Sequence, residues 1–529
     1  MSRGFIELFA GCGGMSLGLE SHGFELLLAN ELSPMAAETF AYNHLSIDLE
    51  RGETKSAAGS RVRWITSNHS LDQLELRRRE DPSTAPNWTP DAISDLPASG
   101  ALGNGDLLVG NVIALNDYLQ YRAEADDISC VLPPDVDLVS GGPPCQSFSM
   151  AGLRQRTNKR NQLPWEFARF VKMAQPKVAL LENVSGILRA FRDDDGREYH
   201  AWREVAKAFV EIGYAPICLH VNAKYVGVPQ NRPRFLMFAI RNDLIHEVRD
   251  SALLSTERTV LNQAIDCHLP DFDWDGFRYW DASSDKDKVL FSGKYFSPLY
   301  THANEDEWVT CSTALSDIKD GEYDQSEISS HARAINSLFS MPVDGELRNA
   351  DTRRHSHLVQ QRFRLYQVVA GLDDPKVEQA IRASLRSACV DTLRPLVPVL
   401  LGQYYLFEPG DLRRPKNENE LLALMANLST RKHSQKALAA NKPAPAALSI
   451  PDDCCHYDKT HLRTLSVREM ARIQSFPDGF VFRSKVTTGG ISRKFEVPQY
   501  TQVGNAVPPL LARQAGQVII NILSELQEK

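Results

Sequence analysis

Three short stretches of the chain set reactive side chains at the ends or starts of apolar runs. In GGPPCQSFS, residues 141–149, Cys145 follows two glycines and two prolines, directly after the run PDVDLVS. In LLENV, Glu182 closes a second run, and in QNRPRF two arginines, Arg232 and Arg234, stand at the start of a third. Pro143 and Pro144 fix φ and remove two backbone donors, so the loop is stiff and the thiol is aimed. A thiol, a carboxylate and two fixed cations facing one pocket make a nucleophile with an acid and a charge-stabilising group beside it. Taken singly, each has a plainer reading: a buried structural cysteine, a salt-bridge glutamate, a solvated arginine edge.

The elements that must position these groups follow a βα rhythm. GFIELF reads as a strand, AGCGG as a tight turn, and MSLGLESHGF as a helix ended by Gly23. A second apolar run, ELLLAN, stops at Glu31, and SPMAAETFAYNH predicts a helix capped by Ser33 with Pro34 at its first position. Two such units in succession predict a parallel sheet with helices on its faces, an α/β fold. In open α/β sheets the crevice beyond the carboxyl strand ends holds nucleotide-like ligands, and the glycines of FAGCGG let the backbone approach one closely. Glu31 and Asp106, each read as ending its own run, support a ligand there; a plain tight turn is the competing reading.

Further along, DVDLVSGG, PKVALLENV, YAPICLHVNA and RFLMFAIR read as strands, and WEFARFVKMAQ and AWREVAKAFVEIG as helices. Residues 46–104, with DPSTAPNWTP and LPASGALGNG, are expected to form an insertion or long surface excursion. From 246 to 455 the pattern changes to mixed aromatics and polar segments with one amphipathic stretch, LVQQRFRLYQVVAGL, and reads as a second domain. Residues 456–529 return to the first style, with LSVREMARIQSFP as a helix and QVGNAVPPLLARQAGQVIINIL as a turn followed by a helix.

Length and composition bound the rest. A chain of 529 residues exceeds what one core usually supports, so two domains or one domain with large insertions are expected. No apolar run approaches the roughly 20 residues needed to span a bilayer, and the N-terminus lacks a signal-peptide core, so no membrane partner and a cytoplasmic location are expected. Nine scattered cysteines, an odd number, are expected to be free thiols. Cys454, Cys455, His456 and His461 form the one cluster that suggests zinc, but adjacent cysteines lack ligand spacing, so no metal is expected. A net charge of −8 excludes a generally basic nucleic-acid binder; any such role must rest on local faces, for which STRKHSQK and RQRTNKR (residues 154–160) are candidates, although each such run alone is more often an ordinary solvated face.

Six stretches, FIELFAGCGGMSLGLESHGF, GGPPCQSFS, LLENVSG, QNRPRF, LSVREMARIQSFPDGF and QVGNAVPPLL, resemble in order and spacing the motifs of the cytosine-C5 DNA methyltransferases. The resemblance covers residues 4 to about 240 and 460 to 525, and the region between falls where that family keeps its target-recognition domain. It implies a Rossmann-like S-adenosylmethionine-dependent methyltransferase sheet with the recognition domain inserted late in the chain. It implies Cys145 as the nucleophile adding to cytosine C6, Glu182 as the carboxyl holding N3 and the exocyclic amine, and Arg232 and Arg234 as the pair steadying the thiolate loop and O2. S-adenosyl-L-methionine, leaving as S-adenosyl-L-homocysteine, is implied across Phe9, Gly11, Cys12 and Gly14. Glu31 and Leu32 would lie at its ribose, Asp106 and Leu107 near its adenine, and Pro144, Asn505 and Val507 would close the pocket. Gln146, Ser149 and Gln230 are implied on the substrate side. RNQLPWEF departs from the family's segment after the cysteine loop, and leaves Leu163 as a guess.

The target carbon is unreachable inside a duplex, so the base must be rotated out into the pocket. The expected partner is therefore double-stranded DNA, together with cognate restriction or phage-defence proteins, and the expected enzyme is a monomeric bacterial modification methyltransferase associated with the nucleoid. A tRNA-cytosine methyltransferase is the alternative, against which the long recognition region counts. A non-catalytic DNA-binding relative is the third reading, disfavoured by intact Cys145, Glu182 and both arginines.

Overall fold

The computed structural model describes residues 3–125, 128, 131–144, 162–192, 198–318, 328–343, 345–387, 389–430, 432, 435–446 and 454–526. The chain divides into two compact units, the first comprising 1–307, 474–476 and 480–529 and the second 308–473 and 477–479.

The first unit is built on one large sheet. Its elements in chain order are β1 (Arg3–Leu8), α1 (Gly14–Glu20), β2 (Phe24–Glu31), α2 (Pro34–His44), β3 (Val62–Trp64), β4 (Asp106–Val109), α3 (Val112–Ala125), β5 (Val136–Gly141), α4 (Leu163–Ala174), β6 (Val178–Val184), α5 (Ala201–Glu211), β7 (Tyr214–Asn222), β8 (Pro233–Arg241), α6 (Ser255–Asp266) and β9 (Trp280–Asp281). The strand order is β9-β7-β8-β6-β5-β1-β2-β4-β3. β8 runs antiparallel to both β6 and β7, while the other pairings are parallel. This is an α/β sheet, with the strands near-continuously apolar because helices cover its faces. Phe5, Ile6, Leu138, Leu180 and Phe238 are fully buried in it.

Local chemistry sets the helix starts. Ser33 lies in an extended conformation, its Oγ accepts from Ala36 N, and Pro34 occupies the first turn of α2, as the sequence predicts. The chain's end returns to this unit through α12 (Gln499–Asn505) and α13 (Pro509–Glu525), so QVGN closes a helix rather than forming the expected turn. On α13, Leu511, Ala515, Val518, Ile519 and Ile522 are buried, and Arg513 Nη1 donates to Ser21 O at 2.8 Å just beyond α1.

Residues 46–104 are not merely a surface excursion. They contribute β3, the edge strand of the sheet, and a buried pair in which Arg77 Nη1 lies 2.7 Å from Asp95 Oδ2 with its guanidinium over the Trp64 ring. Tyr118 and Arg122 on α3 both donate to the Pro97 carbonyl at 2.9 Å, tying the excursion to a core helix.

The second unit is mainly helical: α7 (Ser330–Leu338), α8 (His357–Leu372), α9 (Pro375–Ser387), α10 (Glu418–Asn427) and α11 (Val467–Ile473). Phe363, Leu365, Ile381, Leu400 and Leu421 form its core. The expected domain limits, 246 and 455, shift for stated reasons. Residues 246–307 belong to the first unit because β9 adds to β7 there. Residues 456–473 stay with the second because Gln367 Nε2 donates to the His456 carbonyl at 2.9 Å and Arg472 Nη1 pairs with Asp317 Oδ1 at 2.6 Å, both side chains of that pair buried. In the same unit Cys454 and Cys455 are buried, and His456 Nδ1 accepts from Asp458 N at 3.0 Å. Among the described residues no cluster of three or more metal-ligating side chains occurs, and no helix is long and apolar enough to cross a membrane.

Candidate active site

Glu182 stands near the carboxyl end of β6 and Arg234 near the start of the antiparallel β8. Leu236 pairs with Glu182 and Arg234 with Val184, so Glu182 and Arg234 project from one sheet face two rows apart, with the Phe235–Asn183 row between them on the other face. Glu182 Oε1 lies 2.6 Å from Arg234 Nε, and both residues are buried. Burial pulls the Arg234 pKa below the usual guanidinium range, and the Glu182 carboxylate works against that pull. Arg232 is held well below it by burial and by the charge of Arg234. Its Nη2 donates to the carbonyls of Gly504 and Ala506 at 2.8 and 3.0 Å, and its backbone N–H donates to Asn222 Oδ1 at 3.0 Å. Arg232 therefore joins the end of β7, the start of β8 and the end of α12. Gln230, two residues earlier, is fully buried.

The loop that leads to Cys145 starts from β5, the strand beside β6. Gly141 pairs with Leu8 on one side and Leu181 on the other. Asn183 Nδ2 donates to Pro143 O at 2.9 Å and fixes the loop against the carboxylate strand. A Cβ on Gly142 would lie 3.0 Å from Glu182 Oε2, so the second carboxylate oxygen faces this loop. Pro144 is exposed. Cys145, Gln146, Ser149 and the stretch 154–160 lie outside the described residues, as do parts of 429–436.

At the carboxyl end of β1 the backbone is strained for a close approach. Phe9 adopts φ 56° and Gly11 φ 58°, and a Cβ at Gly11 would meet nothing within 4 Å. Glu31 closes β2 alongside: its Oε2 accepts from Gly11 N and its Oε1 from Ser33 N, each at 2.8 Å. Burial pushes the Glu31 pKa up against those two donors. Leu32 beside it is 44% exposed. The result is open space at Gly11, whose backbone N–H is held by the Glu31 carboxylate. A Cβ on Gly14 would fall 2.3 Å from Val507 O, which shows how closely the segment Asn505–Val507 packs on the start of α1.

Not every expected residue faces that space. Asp106 and Leu107 sit at the amino end of β4, where Asp106 pairs with Leu28, whereas the carboxyl end is Val109, level with Glu31. The Asp106 carboxylate is engaged by Arg63 Nε at 2.7 Å and Arg61 N at 2.8 Å, and Leu107 is fully buried. The run DLLV begins, rather than ends, at Asp106. The residues beyond its end are Asn111 and Val112, and the glycine of VGNVIAL was the available signal. Cys12 turns its thiol toward Gln502 O at 3.7 Å and is buried, so it offers the crevice only its backbone. Gly14 serves the close packing against Val507. Asn183 and Asn222, which hold the loop and Arg232, carry no sequence signal of their own.

The family model for C-5 cytosine-specific DNA methylases matches residues 4–63 and 122–521. The chain is 26% identical over 519 residues to the type II methyltransferase M.DdeI of Desulfomicrobium norvegicum, covering 97% of this chain and 88% of that one. It is 24% identical over 544 residues to the type II methyltransferase M.AgeI of Thalassovita gelatinovora, covering 97% and 98%. A crystal structure described as a DNA modification methyltransferase encoded within an E. coli prophage shares the fold, with TM-score 0.50 at 18% identity over 99% of this chain and 100% of that one. With the buried Glu182–Arg234 pair at the carboxyl edge of its sheet, the chain belongs to the family of C-5 cytosine-specific DNA methylases.

Proposed function

We propose that this protein methylates C5 of a cytosine rotated out of a specific double-stranded DNA sequence, within a restriction-modification or phage-defence system. The observation that carries the reading is the buried Glu182–Arg234 pair, whose free carboxylate oxygen faces the loop leading to Cys145. The type II names of the relatives support the restriction-modification setting.

S-adenosyl-L-methionine would lie against Phe9, Gly11 and the Glu31 carboxylate, with Asn111 and Val112 at the adjoining strand end, and Leu32, Pro144, Asn505 and Val507 at its rim. When bound there, the cofactor supplies an electrophilic methyl group. The Cys145 thiolate adds to C6 of the flipped base and pushes charge toward N3 and O2. Glu182, held in place by Arg234, accepts from the exocyclic amine with one oxygen and shares a proton with N3 through the other as that charge develops. Arg232 keeps the β7–β8 turn against α12, so that Arg234 presents a fixed cation. Once the methyl group has passed to C5, loss of the C5 proton to solvent re-forms the C5–C6 double bond as the C6–S bond breaks and the thiolate leaves. Gln146, Ser149 and Gln230 complete the base pocket, and the second unit reads base edges while its lysines and arginines hold phosphates. The enzyme works as a cytoplasmic monomer.

Expression in a methylation-free bacterial host followed by genome-wide mapping of 5-methylcytosine tests this reading. Methylation confined to one sequence context, and lost with Cys145→Ala while S-adenosyl-L-homocysteine still binds, is the expected result. Methylated tRNA without methylated DNA, or full activity in Cys145→Ala, would overturn it.

A further inference from the structure

Behind the Glu182–Arg234 pair, on the other face of the same strands, three polar side chains form a chain of hydrogen bonds. Ser185 Oγ lies 3.0 Å from His220 Nε2, and His220 Nδ1 lies 3.0 Å from Asp281 Oδ2. Ser185 opens the short helix Ser185–Leu188 immediately after β6, three residues beyond Glu182. His220 sits near the carboxyl end of β7 and Asp281 at the end of β9, to which His220 is paired. Phe235 of β8 pairs with Asn183 on one side and His220 on the other, one row along from Glu182 and Leu236. Because adjacent rows point to opposite faces, the chain crosses β8 on the face opposite Glu182 and Arg234.

The polarity of the three is fixed by the carboxylate. Asp281 Oδ1 accepts from Ser283 N at 2.8 Å and from Ser283 Oγ at 2.7 Å, leaving Oδ2 for His220. Burial alone would raise the Asp281 pKa, but the hydrogen bonds from His220 and Ser283 carry it down to about 2. An ionised Asp281 accepts a hydrogen bond from Nδ1–H, and with that tautomer Nε2 accepts from the Ser185 hydroxyl. Ser185 is thereby tied to two strands that lie beyond β8, and the turn after Glu182 cannot shift without breaking the line.

We propose that Asp281, His220 and Ser185 form a positioning relay that holds the end of β6, and so Glu182, in register with Arg234 for methyl transfer. The proposal rests on the methyltransferase reading given above. None of the three touches substrate in it; they act through Glu182. A displacement of about 1 Å in a reacting group can cost as much as a hundredfold in rate, so a loss of about tenfold in kcat is the expected scale for a partial loosening.

The test uses the full-length protein, labelled S-adenosylmethionine and unmethylated bacterial DNA. Ser185→Ala, His220→Asn and Asp281→Asn are each expected to lower kcat with KM for the cofactor within about twofold, because β1, β2 and β4 bind it. Ser185→Thr, which keeps the hydroxyl, should retain kcat. The double variant Ser185→Ala/Asp281→Asn should be no slower than the singles, since one broken link already severs the relay. Wild-type kcat in Ser185→Ala, or multiplying losses in the double, would overturn the proposal. Hydrogen exchange over residues 178–192 should rise in Asp281→Asn with an unchanged unfolding midpoint; unchanged exchange would overturn the relay whatever the enzyme acts on. A wild-type protein that leaves DNA unmethylated but shows that rise would defeat the functional reading and leave the relay standing.

Discussion

Glu182 Oε1 and Arg234 Nε lie 2.6 Å apart on adjacent antiparallel strands, with side chains 11% and 9% exposed. The pair fixes one carboxylate and one guanidinium to the sheet, beside the loop that follows β5. Removing one partner of a buried pair leaves the other uncompensated, at a cost of about 3–5 kcal/mol.

Arg234→Ala is therefore expected to lower both stability and turnover. Urea unfolding should show the stability loss, and kcat should fall by roughly a hundredfold or more as a charge-stabilising donor disappears. Glu182→Gln keeps the shape but not the charge, and its loss should appear in kcat with little change in cofactor affinity. Equal weakening of cofactor binding in both variants would contradict the separation of the two subsites.

Two neighbouring glycines should respond in different ways. Gly11→Ala places a methyl in open space at a positive φ, costing about 1–2 kcal/mol of backbone strain. Its larger effect should be weakened binding of S-adenosyl-L-homocysteine by calorimetry. Gly14→Ala drives a Cβ onto the Val507 carbonyl and should destabilise the fold first, read as a lower unfolding midpoint without ligand.

The excursion 46–104 should matter to stability. Asp95→Ala leaves Arg77, which is 1% exposed, without its carboxylate and also removes the acceptor for Trp64 N. A loss of about 3–5 kcal/mol is expected, and thermal unfolding measures it. Arg77→Met combined with Asp95→Ala should recover part of the loss, because no buried charge is then left alone.

His456 gives the second unit an acid limit. Burial lowers its pKa from 6.5 to about 4, so the folded unit keeps it neutral while the unfolded chain takes up a proton first. Its contribution to stability is complete above pH 6.5 and is lost as pH falls from 6.5 toward 4, at most about 3 kcal/mol. Urea midpoints measured over that window should fall more steeply in the wild type than in His456→Asn, whose amide oxygen can still accept from Asp458 N.

The βα rhythm, the capped start of α2 and the strand that carries Glu182 near its carboxyl end were legible in the sequence alone. These are local: periodicity, proline and a cap residue act within a few residues of themselves. Asp106 was misplaced because it opens the run DLLV instead of closing it, and parallel pairing to β2 sets Val109, not Asp106, level with Glu31. Nor did the sequence reveal β3, three residues in a polar stretch that become a strand only because β4 offers an edge. The limits of the units were decided by pairings distant in sequence, Asp281 against His220 and Arg472 against Asp317. The Glu182–Arg234 pair and the line through Ser185 and His220 also exist only once β8 folds back antiparallel between β6 and β7. Which side chains meet across strands depends on register, and register is set by the packing of the whole sheet.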